Sequence, residues 1–141
     1  HGQADAYIAA NVMCHIPYIN SIVEGIKVLL KPDGVVMFED PYLGNVIEKT
    51  TYDQIYDEHT FLFSVHSIQY LFNQFDMEVI DVESQESHGG TMRYVIAHNG
   101  AKSVHKNVQK QLKYEDDIGL TKVESFNQFK TNCEKYRKDL M

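Results

Sequence analysis

The sequence has no tryptophan, only three prolines and only two cysteines in 141 residues. Cys14 and Cys133 lie far apart and form no CxxC pair, which argues against a structural zinc site within the chain and favours a reducing compartment. Basic residues are also scarce. Thirteen Lys and Arg against twenty Asp and Glu give a formal charge of −7, a field that repels nucleic acid and anionic lipid. No apolar run reaches the ~20 residues needed to cross a bilayer, and no signal peptide opens the chain. The expectation is a cytoplasmic protein with no nucleic-acid or membrane partner.

What is present suits a packed domain. The hydrophobic fraction is 43%, enough for a real core. The chain enters an apolar stretch almost at once and stops inside a helical pattern, so both ends read as cuts in a longer protein. "ADAYIAANV" (residues 4–12) is a nearly continuous apolar run, expected to be a strand buried on both faces of a parallel sheet. Residues 19–30 place Ile19, Ile22, Val23, Ile26, Leu29 and Leu30 at helical spacing, and "KPDG" (31–34) is expected to break that helix. "VVMFED" (35–40) reads as a second buried strand stopped by Pro41. Strand, helix and strand within this length predict a parallel βαβ unit.

Residues 42–64 are aromatic and mixed, with one helical turn expected near "GNVIEKT". Residues 65–75 predict a helix with Ile68, Leu71, Phe72 and Phe75 on one face. "MEVIDVES" and "TMRYVIAH" predict two strands joined by "HGG", hence an antiparallel pair. From residue 103 the composition turns polar, with helices expected over 104–117 and 122–140. In the second, Phe126, Phe129, Cys133, Tyr136 and Leu140 form a stripe that should pack on something, either a further domain or a second copy of the chain. The fold class expected is α/β: the second half of a doubly wound, Rossmann-like domain with parallel strands and a terminal antiparallel strand pair, followed by a helical tail. In this order of elements the chain resembles class I S-adenosylmethionine-dependent methyltransferases. Residues 1–100 are assigned to the second half of that domain, and 101–141 to a helical linker leading to a further C-terminal domain.

Three polar clusters in one order narrow the reading. "NVMCHIP" (11–17), "YDQIYDEH" (52–59) and "HGG" (88–90), with "KPDG" and "FEDPYLG" between the first two, resemble the sugar C-methyltransferases, which methylate a carbon of a nucleotide-linked keto-deoxysugar. The likeness covers roughly the first hundred residues and runs more loosely into the tail. It implies S-adenosylmethionine as cofactor and a nucleotide sugar as substrate. It also implies an N-terminal zinc-binding module, the only place zinc is expected. The glycine-rich loop and ribose-binding acid that grip most of the cofactor are not in this sequence.

Methylating carbon requires a proton next to a carbonyl to be removed and the enolate held. Histidine suits the base, because its ordinary pKa of about 6.5 lies near working pH. By resemblance His59 is that base, Glu58 orients it, and Tyr56 and His15 hydrogen-bond the enolate or the sugar. Read from the residues alone, "YDEH" is equally a polar loop with one histidine satisfied by carbonyls. If it were helical, Glu58 and His59 would point about 100° apart, so a shared site needs a loop or a helix end. Asn11, at the carboxyl end of a strand, is the cofactor-binding candidate, with helix capping as the alternative. Tyr42 and His88 are substrate-binding candidates; rim packing and a glycine turn are the alternatives. Arg93 reads as a surface ion pair or a contact to a diphosphate. No HExxH-type spacing supports a metal set among His59, His66, His88 and Asp57, so no metal is expected. Two other functions stay open: a non-catalytic methyltransferase-like domain used for assembly, and an O- or N-methyltransferase of small molecules.

Overall fold

The computed structural model describes residues 2–141, His88 by its backbone alone. Its centre is a four-stranded sheet in the order β1-β2-β4-β3. β1 (Ala4–Ala10) leads through α1 (Ile19–Leu29) into β2 (Leu30–Pro41), and the two strands pair in parallel, from Ala6 opposite Val35 to Ala10 opposite Glu39. β3 (Met77–Gln85) and β4 (Thr91–His98) form the antiparallel pair. β4 inserts between β3 and β2, antiparallel to both. The expected α/β architecture is therefore present, with its parallel unit and inserted antiparallel strand.

Two expectations about the parallel unit need correction. "KPDG" does not separate helix from strand. Leu30 already pairs with Ala4, and residues 31–34 are absorbed as an irregularity before Ala6 meets Val35. Gly34 makes this possible: a Cβ there would lie 2.8 Å from Leu30 Cγ and 3.0 Å from the Asp5 carbonyl oxygen. Nor is β1 buried on both faces. Tyr7 and Ala9 pack against the core, whereas Ala6, Ile8 and Ala10 are exposed, Ile8 at 75%. Among the described residues, then, only the face of β1 that carries Tyr7 and Ala9 is covered.

A single apolar cluster joins Val23 and Ile26 of α1, Phe38 of β2, Tyr94 and Ile96 of β4, and Ile68 and Phe72 of α3 (Val65–Asn73). The segment between β2 and α3 holds α2 (Leu43–Lys49) and a 3-10 turn at Tyr52–Gln54. α3 starts with a capping box in which the Ser64 and Ser67 hydroxyls each accept from the other residue's backbone N–H. Such a box satisfies donors that every helix start leaves free. After β4, α4 (Lys106–Asp117) runs back over β3 and α3, burying Val108 and Glu115 completely. The polar composition after residue 103 thus conceals a helix built into the core. α5 (Val123–Asp139) touches α2 but buries no residue fully, and its apolar stripe is half open, with Phe126 at 41% and Tyr136 at 48% exposure.

Candidate active site

The site forms where β1 and β2 end, the edge at which open α/β sheets take ligands. β1 stops at Asn11, whose backbone is left-handed (φ 52°) and whose N–H donates to the Glu39 carbonyl at 2.8 Å. A 3-10 turn at Met13–His15 follows and sets His15 at the sheet's end. The segment after α2 is drawn to the same place by backbone bonds, Phe61 N–H to the Cys14 carbonyl (3.1 Å) and Leu43 N–H to the Phe63 carbonyl (2.9 Å).

Within that segment, His59 N–H donates to the Tyr56 carbonyl at 3.0 Å. This i to i+3 turn sets the Tyr56 ring against His59, with centroids 4.1 Å apart and the planes tilted by 38°, and leaves Glu58 exposed. His59 Nδ1 lies 2.7 Å from the Gln54 carbonyl oxygen. A carbonyl only accepts, so Nδ1 carries the proton; in the neutral ring Nε2 keeps its lone pair and accepts from the Tyr56 hydroxyl at 2.9 Å. His15 is fixed in the same way, its Nδ1 donating to the Glu58 carbonyl at 2.8 Å, with its ring centroid 4.9 Å from that of His59. Asn11, His15, Pro41, Gln54, Tyr56 and His59 line one cavity of about 300 Å3.

The structure thus brings His59, Tyr56, His15 and Asn11 together. The expected role of Glu58 is corrected: its backbone carbonyl holds His15, and the group orienting His59 is the Gln54 carbonyl. Tyr42 is corrected too. It is 2% exposed and belongs to the core. Its hydroxyl donates to Glu115 at 3.0 Å and accepts from Gln111 at 2.9 Å, so it offers nothing to a substrate. The side chain of His88 lies outside the described residues; its backbone forms a 3-10 turn between β3 and β4. Arg93 pairs with Glu39 at 3.0 Å and Glu83 at 3.1 Å.

Two buried groups behind the histidines escaped the sequence reading. Cys14 is 1% exposed and Asp40 is fully buried. Burial, and then the neighbouring Asp40, push the Cys14 thiol up to about 12. Burial also raises the Asp40 carboxyl. The Cys14 thiol, the backbone of Cys14 and Val12, and the charge of His15 offset this in part. None of these groups reaches hydrogen-bonding geometry, and both carboxylate oxygens are without a partner. A carboxyl raised in the folded state favours folding below its unfolded pKa, and that contribution is lost as pH climbs through the folded value. Asp40→Asn should therefore melt higher than the parent at about pH 7, with the difference vanishing below about pH 4. An asparagine variant that melts lower at neutral pH would show that the carboxylate is a stabilising anion instead.

Residues 1–82, more than half of the chain, match the family described as "Methyltransferase domain". The chain belongs to that methyltransferase family. Residues 86–141 match a second description, "C-methyltransferase C-terminal domain". The C-methyltransferase NovU of Streptomyces niveus is 30% identical over 138 residues, which cover 97% of this chain and 33% of the relative. The chain thus spans about a third of that relative's length, and the likeness to C-methyltransferases read from the motif order is borne out. Among solved structures, a chain of the complex between the Haloferax volcanii Trm112 methyltransferase activator and a methyltransferase aligns with TM-score 0.57 at 14% identity, over 69% of this chain and 54% of that one. Magnesium protoporphyrin IX methyltransferase from Synechocystis PCC 6803, solved with bound SAH, aligns with TM-score 0.53 at 10% identity, over 70% of this chain and 47% of that one. At such identities these likenesses establish the fold, the class I Rossmann-like methyltransferase architecture. No helix among the described residues is long and apolar enough to cross a membrane.

Proposed function

We propose that the protein is an S-adenosylmethionine-dependent C-methyltransferase acting on a nucleotide-linked keto-deoxysugar, with His59 as the general base. The observation that carries this reading is the state of His59. A backbone carbonyl fixes its tautomer, and the basic Nε2 faces a cavity that a phenol and a second imidazole share. Transfer to oxygen or nitrogen has less need of a base held for a C–H proton, and a non-catalytic assembly domain would not be expected to keep the set intact.

When bound, the cofactor supplies an electrophilic methyl group. Of this chain's residues, Asn11 would hold it: the left-handed turn there ends the parallel strand and brings the side chain to the cavity. His59 Nε2 takes the proton from the carbon beside the sugar carbonyl, breaking the C–H bond and leaving its electron pair on the enolate. The Tyr56 hydroxyl, released from Nε2, donates a hydrogen bond to the enolate oxygen, and His15, whose Nδ1 proton is held by the Glu58 carbonyl, accepts at Nε2 from a sugar hydroxyl. Pro41 and Gln54 complete the wall of the cavity.

The test is the position of the transferred group. With methyl-labelled S-adenosylmethionine and a nucleotide-linked keto-deoxysugar, the intact protein should deliver the label to a sugar carbon, as read by NMR. Label found on oxygen or nitrogen would overturn the reading.

A further inference from the structure

Three metal-binding atoms meet beside the cavity. Cys14, His15 and His59 each offer one ligand atom, and the three lie within 4.8 Å of one another. Their order in the sequence hides this, because His59 arrives from the segment after α2. One sulfur and two imidazole nitrogens form a donor set suited to zinc and its borderline neighbours rather than to magnesium or calcium.

Two further observations set this cluster apart from a chance grouping. Both imidazoles donate Nδ1–H to a backbone carbonyl, His15 to Glu58 at 2.8 Å and His59 to Gln54 at 2.7 Å. Proteins hold metal-ligating histidines in this way, with the second nitrogen anchored so that Nε2 is aimed and its lone pair kept free. Behind Cys14 stands Asp40, fully buried, with neither carboxylate oxygen hydrogen-bonded. An unpartnered carboxylate in an apolar interior is costly, and a cation on the adjacent thiolate would supply the missing opposite charge.

We propose that Cys14, His15 and His59 form a site for zinc or a similar borderline transition-metal ion, with Asp40 as its outer counter-charge and a water molecule completing the tetrahedron. On binding, the Cys14 thiol gives its proton to solvent and its sulfur bonds the metal, while both imidazoles bind as neutral ligands. The ion replaces the Tyr56 hydroxyl on His59 Nε2. Metal occupancy and proton abstraction by His59 therefore exclude one another, and the metal-loaded form is an inactive one. The site itself rests on geometry and does not depend on the methyl-transfer reading.

Zinc alone is the probe. The intact protein, stripped with chelator and titrated with zinc in a calorimeter, should take up one equivalent more than its His59→Ala variant. His15→Ala should lose the same equivalent or bind it at least 10–100-fold more weakly, the loss typical of removing even an outer-shell partner. His66→Ala, altered on α3 at a pair with Asp116, should retain it. Because Cys14 is buried, its replacement endangers the fold, so cobalt substitution tests it without mutation: a thiolate-to-cobalt absorption band is expected in the parent and not in His59→Ala. Equal zinc uptake and affinity in the parent and His59→Ala, or a cobalt complex without a thiolate band, would overturn the site. Neither result bears on where a methyl group is transferred.

Discussion

His59→Ala should lower turnover by about 10² to 10⁴-fold, the usual contribution of a positioned base, or roughly 3 to 5 kcal/mol of barrier. The affinity for S-adenosylmethionine should stay nearly unchanged, because in the proposed mechanism Nε2 serves the sugar carbon and not the nucleoside. Neighbouring substitutions should follow the hydrogen bonds rather than the order of residues in "YDEH". Tyr56→Phe removes the hydroxyl on Nε2 at 2.9 Å and should cost part of the rate. Glu58→Gln should cost little, because the contact it makes to the site is through its main-chain oxygen. Steady-state kinetics on the three variants, with cofactor binding measured separately, give the ranking. A Glu58→Gln loss as large as that of His59→Ala would mean that the carboxylate turns onto the imidazole in the working enzyme.

The second large effect concerns stability. Glu115→Ala should destabilise the fold by about 3–5 kcal/mol, a large share of the 5–15 kcal/mol that typically holds a domain together. Glu115 is fully buried on α4, and its carboxylate accepts from three donors: Val65 N–H at 2.6 Å, His66 N–H at 3.0 Å and the Tyr42 hydroxyl at 3.0 Å. The first two are orphan donors at the start of α3, where a helix dipole also favours negative charge. Alanine would leave these three donors without their acceptor, the Val65 N–H and the Tyr42 hydroxyl in the interior and the His66 N–H half-buried, at roughly 1–3 kcal/mol for each group that water cannot reach. Glu115→Gln keeps a carbonyl oxygen for part of this set and should cost less. Urea unfolding of both variants checks the order. A loss under about 1 kcal/mol for alanine would mean that water enters and satisfies the helix start.

How much of this was legible in the sequence depended on whether the controlling contact was local. The βαβ unit and the antiparallel pair could be read because apolar runs and turn residues mark them within a few positions. The start of β2 could not, since "KPDG" carries strong turn signals and only the close packing of Gly34 against Leu30 and Asp5 keeps those residues in the strand. Burial of β1 on both faces was over-read because a continuous apolar run does not say whether both faces of the sheet are covered. That His59, Tyr56 and His15 come together was legible from motif order. The Gln54 carbonyl was not, because every residue type carries that group and no pattern of side chains points to it. Tyr42 follows the strand that ends at the site, yet Glu115 claims its hydroxyl from 73 residues away. Within "KYEDD", nothing distinguishes the one acid that is buried from those that are solvated.

The central claim is that His59 takes a proton from carbon, and solvent exchange at that carbon isolates the step. The keto-sugar nucleotide is held in deuterated water with the intact protein and a non-reactive cofactor analogue, and deuterium gained beside the carbonyl is followed by NMR. The parent should exchange this proton, and His59→Ala should exchange it about 10² to 10⁴-fold more slowly. Exchange by His59→Ala at the parent's rate would contradict the account and move the base to His15 or Tyr56.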